Sequence, residues 1–167
     1  MKFFAIAAFG ICLPLAVHAQ QTQPPALSPK PQEPFTPGLG EIMTLQQMRH
    51  LKLWFAGQAS NWPLAGYELD ELKEGFEDVV KYFPVKDEVP TGTMASAVIE
   101  KEVAALEKAI EAKDRKQFGA AFDRLTASCN ACHQASKHAF IVIRRPAANP
   151  YANQSFAPVP GATAQKH

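Results

Sequence analysis

No proline falls between Pro90 and Pro146, whereas six crowd into positions 24 to 37 and four into positions 146 to 160. Proline lacks an amide N–H and clashes with the preceding helical turn, so the long interval is where uninterrupted helix can form and the dense runs are where it cannot. One compact body with proline-rich ends follows, and 167 residues suit a single domain. The 17 basic and 16 acidic side chains nearly cancel and form no basic block, which argues against a dedicated nucleic-acid binder. Nine glycines are too few for a collagen-like repeat.

At the N-terminus, Met1 and Lys2 precede an apolar stretch from Phe3 to Val17 that closes on Val17-His18-Ala19. This is the layout of a secretory signal, cleaved after Ala19. The stretch is shorter than the roughly 20 apolar residues that span a bilayer, so a cleaved secretory signal is expected rather than a membrane anchor. Cys12 follows Phe9-Gly10-Ile11, a poor lipoprotein processing site, and leaves with the signal. The expected divisions are a signal at 1–19, a proline-rich leader at 20–38, a helical body at 39–145 and an irregular C-terminal arm at 146–167. Only Cys129 and Cys132 then remain. A disulfide closed over two intervening residues removes little chain entropy and would stabilise little, so this pair calls for another explanation.

Apolar periodicity marks four helices in the body. From about Gly40, Leu45, Met48, Leu51 and Phe55 recur at three- and four-residue steps, with Met43, His50 and Trp54 on a neighbouring strip, in a helix ending near Gly57. Asn61 is placed to cap a second helix, with Pro63 in its first turn, Leu69, Leu72, Phe76, Val79 and Phe83 along one stripe, and Pro84 closing it. Ile99, Val103, Leu106 and Ile110 form a third stripe. Asp114 with Gln117 resembles a capping box, after which Phe118, Ala121, Phe122, Leu125, Cys129 and Cys132 continue a fourth. Four such segments with short links and no alternating strand pattern predict an all-α fold, an antiparallel four-helix bundle.

Cys129-Asn130-Ala131-Cys132-His133 has the C-x-x-C-H spacing of a c-type haem attachment site. On a helix the two thiols, three residues apart, share a face and can form thioethers with the two vinyl groups of one porphyrin. His133, four residues from Cys129, shares that face and can reach the iron. A thioredoxin-like dithiol would need a βαβ setting, which the periodicity does not supply. A structural zinc site would need further ligands, and beyond His133 only His50, His138 and His167 remain after cleavage. Phe118 and Phe122 suit a porphyrin pocket, though alone they read as ordinary core.

An exported helical chain with CNACH late in its last helix resembles the class II c-type cytochromes, the cytochrome c-prime and c556 group, over about residues 40 to 138. MRHLKLWFAG (48–57 with Met48 first) and NWPLAGYELDELKEGFEDV (61–79) also resemble a set of bacterial periplasmic cytochrome-like proteins. The resemblance implies one covalent haem c, with Cys129 and Cys132 as thioether positions and His133 as the proximal iron ligand. It implies a periplasmic monohaem protein that passes single electrons to a redox partner protein. No acid-base pair, metal cluster or nucleophile constellation accompanies the haem motif, so an enzyme is not expected. In the family the chain stops soon after the haem histidine, whereas 34 residues follow His133 here.

On the same resemblance the start of the first helix lies beside the end of the fourth, bringing Met43, Met48 and His50 near the distal side. His50 is the first candidate for a sixth ligand or pocket hydrogen bonder, with a half-exposed helix histidine as the plain alternative. Met48 is the other candidate ligand and otherwise reads as core filler. Methionine ligation would raise the reduction potential relative to two histidines, and an open sixth position would admit small gases such as NO or CO. Arg49, Arg144 and Arg145 are candidates to pair with haem propionates, or else surface charges. His138 is expected to face solvent near the helix C-terminus. The apolar run Phe140 to Ile143 is expected to pack on the bundle; left exposed, it would mark a homodimer contact.

Overall fold

The computed structural model describes residues 35–163. The expected signal, its cleavage point and most of the leader therefore lie outside the described residues. Within them the chain is all-helical, with four helices and no strand beyond an isolated bridge between Lys86 and Val89. This is compatible with a helical bundle. No helix among the described residues is long and apolar enough to cross a membrane.

Local sequence explains where the helices begin. The first, Leu39–Gln58, starts where the Glu41 carboxylate turns back to accept from the Gly38 amide at 2.9 Å. The second, Trp62–Tyr82, starts where Asn61 Oδ1 accepts from the Leu64 amide, with Pro63 in the first turn as expected. The fourth, Arg115–Ala135, is capped by Asp114, which accepts from the amides of Lys116 and Gln117 and from the Gln117 side chain. Those bonds favour the ionised Asp114 carboxylate and hold it below its ordinary range.

The third helical run departs from a regular spiral. Thr91–Val98 and Ala104–Glu111 are α-helical, but Ile99–Val103 between them is a π turn. The extra residue moves the buried stripe from Ala95 and Val98 to Val103, Leu106 and Ile110 by a five-residue step. Val98 rather than the expected Ile99 thus fills the core, since a strict 3.6-residue period cannot anticipate the insertion.

The first helix differs most from expectation. Its buried face is Ile42, Gln46, His50, Leu53, Trp54, Ala56 and Gly57, whereas Leu45 is 53% exposed and Met48 and Leu51 are only partly covered. Two polar residues hold core positions because each has a partner. Gln46 Nε2 donates to the Leu72 carbonyl at 2.8 Å, and His50 meets Thr126. The first and second helices are further tied by Arg49, which reaches both Glu68 and Glu71, and by Lys52 at 3.9 Å from Glu68. Burial raises the Glu68 carboxyl, opposed by the two cations beside it.

Two apolar clusters make the core. The larger joins Leu53, Trp54, Leu69, Leu72, Leu106, Phe118, Phe122 and Leu125; the smaller joins Ile42, Val79 and Ala95, with Met43, Phe76 and Phe83 against it. After Ala135 the described chain has turns, bends and irregular stretches, with no helix or strand. Phe156 nevertheless enters the larger cluster beside Phe55, with ring centroids 5.7 Å apart.

Candidate functional site

Cys129, Cys132 and His133 stand in the last two turns of the fourth helix. Phe118, Phe122, Leu125 and Thr126 of the preceding turns are buried, and the stripe they start leads into Cys129, which packs against the larger cluster. Both thiols are free and partly buried. Burial pushes the Cys129 thiol up to about 12 and raises Cys132 as well. A redox dithiol lowers a thiol pKa to make an attacking thiolate, and this pair does the reverse.

His133 is oriented from outside the helix. Its Nδ1 lies 2.9 Å from the carbonyl oxygen of Ile141. A carbonyl oxygen only accepts, so Nδ1 carries a proton and donates, and in the neutral ring Nε2 then holds the lone pair. Metal-bound histidines show this arrangement, one ring nitrogen held by an acceptor and the other presented to the metal. Asn130, within the motif, holds the same returning segment. Its Nδ2 donates to the Ile143 carbonyl and its Oδ1 accepts from the Ile143 amide, both at 2.8 Å.

His50 shows the opposite tautomer. Thr126 Oγ1 donates its single proton to the Phe122 carbonyl at 2.8 Å. The same oxygen therefore accepts from His50 Nε2, also at 2.8 Å, so that Nε2 carries the proton. The His50 ring lies 4.3 Å from the Phe122 ring, centroid to centroid, and burial lowers its pKa to about 4. His50 is a buried neutral histidine, not the half-exposed one of the plain alternative. Thr126 precedes His133 by seven residues, roughly 10 Å of helical rise. Met48 faces the other way, into an open groove of about 310 Å³ lined by Thr44, Leu45, Gln47, Leu51 and Tyr151. Met43 packs on the smaller cluster. None of these three shares a hydrogen bond or ring contact with His133 among the described residues.

Of the arginines, Arg49 is engaged by Glu68 and Glu71, and Arg145 makes a bidentate pair with Asp123, at 2.6 and 2.7 Å, while lying over the Trp54 ring. Arg144 is exposed and makes no ion pair among the described residues. His138 is exposed at the helix end, its Nδ1 2.6 Å from the Ser136 carbonyl. The run from Phe140 does not bury its side chains as expected. Phe140 is 79% and Val142 70% exposed, because the segment docks through its backbone on Asn130 and His133.

The donor set fits a c-type haem: two unlinked thiols on one helical face and an imidazole whose Nε2 is free to ligate. Among the described residues no group of three or more His, Cys, Asp or Glu side chains is gathered that could hold a metal ion. Asn130, Ile141 and Ile143 are the residues that sequence reasoning missed. Backbone carbonyls leave no signal in composition, and only the Asn inside the motif hinted at a polar partner. No family model, curated protein or solved structure matches this chain.

Proposed function

We propose that this chain is an exported c-type haem protein that carries single electrons, with one porphyrin joined to Cys129 and Cys132 and its iron held by His133. The observation that carries the reading is the bond from His133 Nδ1 to the Ile141 carbonyl, which commits one ring nitrogen and leaves Nε2 for a ligand, on a residue one and four positions from two free thiols. The haem supplies a one-electron ferric–ferrous couple. The chain's own part is to hold the imidazole at a fixed angle, to exclude water with the apolar stripe below Cys129, and to present a redox partner protein with a surface. Arg144, unpaired by any acid among the described residues, is the arginine open to a propionate.

The fold that serves this role is an antiparallel four-helix bundle. Its support is the order of the cross-links: positions 46, 49 and 52 of the first helix meet 72, 71 and 68 of the second, one rising as the other falls. An irregular proline-rich arm at 146–167 completes that reading, supported by the absence of helix or strand among its described residues 146–163.

A second reading, binding of NO or CO at a five-coordinate iron, is favoured by one observation. His50 spends Nε2 on Thr126, about two turns from His133, and Met48 faces outward, so neither candidate sixth ligand is poised in place. Optical spectra of the haem-loaded protein with and without CO separate the two. Low-spin ferric haem that is slow to bind CO in the ferrous form supports electron transfer. A high-spin ferric form with rapid CO binding supports the gas-binding reading and overturns six-coordinate electron transfer.

A further inference from the structure

The segment after the fourth helix returns along it in two-residue steps: Ile141, Ile143 and Arg145 meet His133, Asn130 and Asp123 in that order. Four residues drawn out at strand rise would advance about 13 Å and ten helical residues about 15 Å, so one short stretch can serve all three docking points. The docking is polar. Phe140, Ile141 and Val142 keep much of their apolar surface exposed, and what fixes the segment is the paired bonding of Asn130 to both backbone groups of Ile143, with the Arg145–Asp123 pair beyond it. Asn130 thus imitates a neighbouring strand, and its two bonds set the position of the Ile141 carbonyl two residues away.

We propose that residues 141–145 are a strap that sets the donor strength of His133, with Asn130 as its positioning residue inside the Cys-x-x-Cys-His motif. The inference rests on the reading of His133 as an iron ligand. An imidazole N–H that donates to a carbonyl pushes electron density to the other nitrogen and makes it a stronger ligand, which favours the more oxidised iron. The strap therefore lowers the reduction potential. It also assigns a role to chain beyond the haem histidine.

The test uses the full mature chain carrying haem, compared with Asn130→Ala and Asn130→Asp. Asn130→Ala should shift the midpoint potential upward and speed solvent exchange of the His133 Nδ1 proton in NMR spectra of the reduced protein, with covalent haem and helix content retained. Asn130→Asp keeps the acceptor for the Ile143 amide and loses the donor, so it should fall between Asn130→Ala and the parent. A haem-bearing, helical Asn130→Ala protein with the parent's potential and proton exchange would overturn the strap while leaving the haem reading standing. If Asn130→Ala does not fold, the parent alone decides: a protected Nδ1 proton supports the strap and a freely exchanging one overturns it. A parent that carries no haem by mass overturns the haem reading first, and the strap with it.

Discussion

His50 Nε2 donates to Thr126 Oγ1 at 2.8 Å and so links the first helix to the fourth one turn before Cys129. The hydroxyl's one proton goes to the Phe122 carbonyl, so towards His50 it can only accept. A buried polar group left without its partner costs more than the net worth of the bond it made. The pair therefore fixes the register of the helix that bears the cysteines against the first helix. Thr126→Val keeps the side chain's shape and removes the acceptor. It should lower stability by about 1–3 kcal/mol, read as a reduced urea midpoint at unchanged slope. An unchanged midpoint would mean that the pair does not set this register.

The protonation of His50 makes stability depend on pH with a definite sign. Burial lowers its pKa from 6.5 to about 4, so the fold accommodates the neutral ring and the unfolded chain takes up the proton first. The contribution is fully present above about pH 6.5 and is lost as the pH falls towards 4, by about 3 kcal/mol at most. His50→Gln, which does not titrate, should flatten the stability profile across that window even where it is less stable overall. A slope equal to the parent's would place the acid sensitivity on other groups.

Gly57 and Phe118 give a steric test. A Cβ at Gly57 would overlap the Phe118 ring, which is fully buried and has Trp54, Trp62 and Phe122 around it. Gly57→Ala should therefore cost about 1–3 kcal/mol by overpacking, although alanine is the better helix former. A gain in melting temperature would show that the ring can yield.

Asn61 serves two segments. Its Oδ1 caps the second helix, and its Nδ2 donates to the carbonyls of Phe156 and Ala157 at 3.3 and 3.1 Å. Asn61→Ala should cost about 1–2 kcal/mol from the lost cap. It should also make the chain after Arg145 more sensitive to limited proteolysis, whereas a cap alone would leave that sensitivity unchanged.

Helix ends were legible in the sequence because their signals are local. Asn61, Pro63, Pro84 and Asp114 act within a few residues of themselves, and each does in the structure what its chemistry suggests, whereas Gln117 donates to the Asp114 carboxylate instead of closing a capping box on the Asp114 amide, which bonds the Ala109 carbonyl. The face of the first helix was not legible. Counting apolar residues selects Leu45, Met48, Leu51 and Phe55, whereas burial selects a strip containing Gln46 and His50. Those two are acceptable in the core only because the Leu72 carbonyl and Thr126 wait on other helices, a fact that no window of the first helix contains. The π turn at Ile99–Val103 is hidden for a similar reason, since one inserted residue changes phase without changing composition. At the candidate site, Cys129, Cys132 and His133 could be read from spacing alone. The carbonyl that orients His133 comes from Ile141, whose side chain gives no sign of it.

The central claim, that Cys129 and Cys132 carry covalent haem, is tested most directly by the mass of the denatured protein after expression in a host that exports and matures c-type cytochromes. The expected product is a mature chain heavier by one haem, whose visible absorbance survives denaturation and whose two thiols no longer react with an alkylating agent. A chain at the mass of the bare polypeptide, with both thiols open to alkylation, would contradict it.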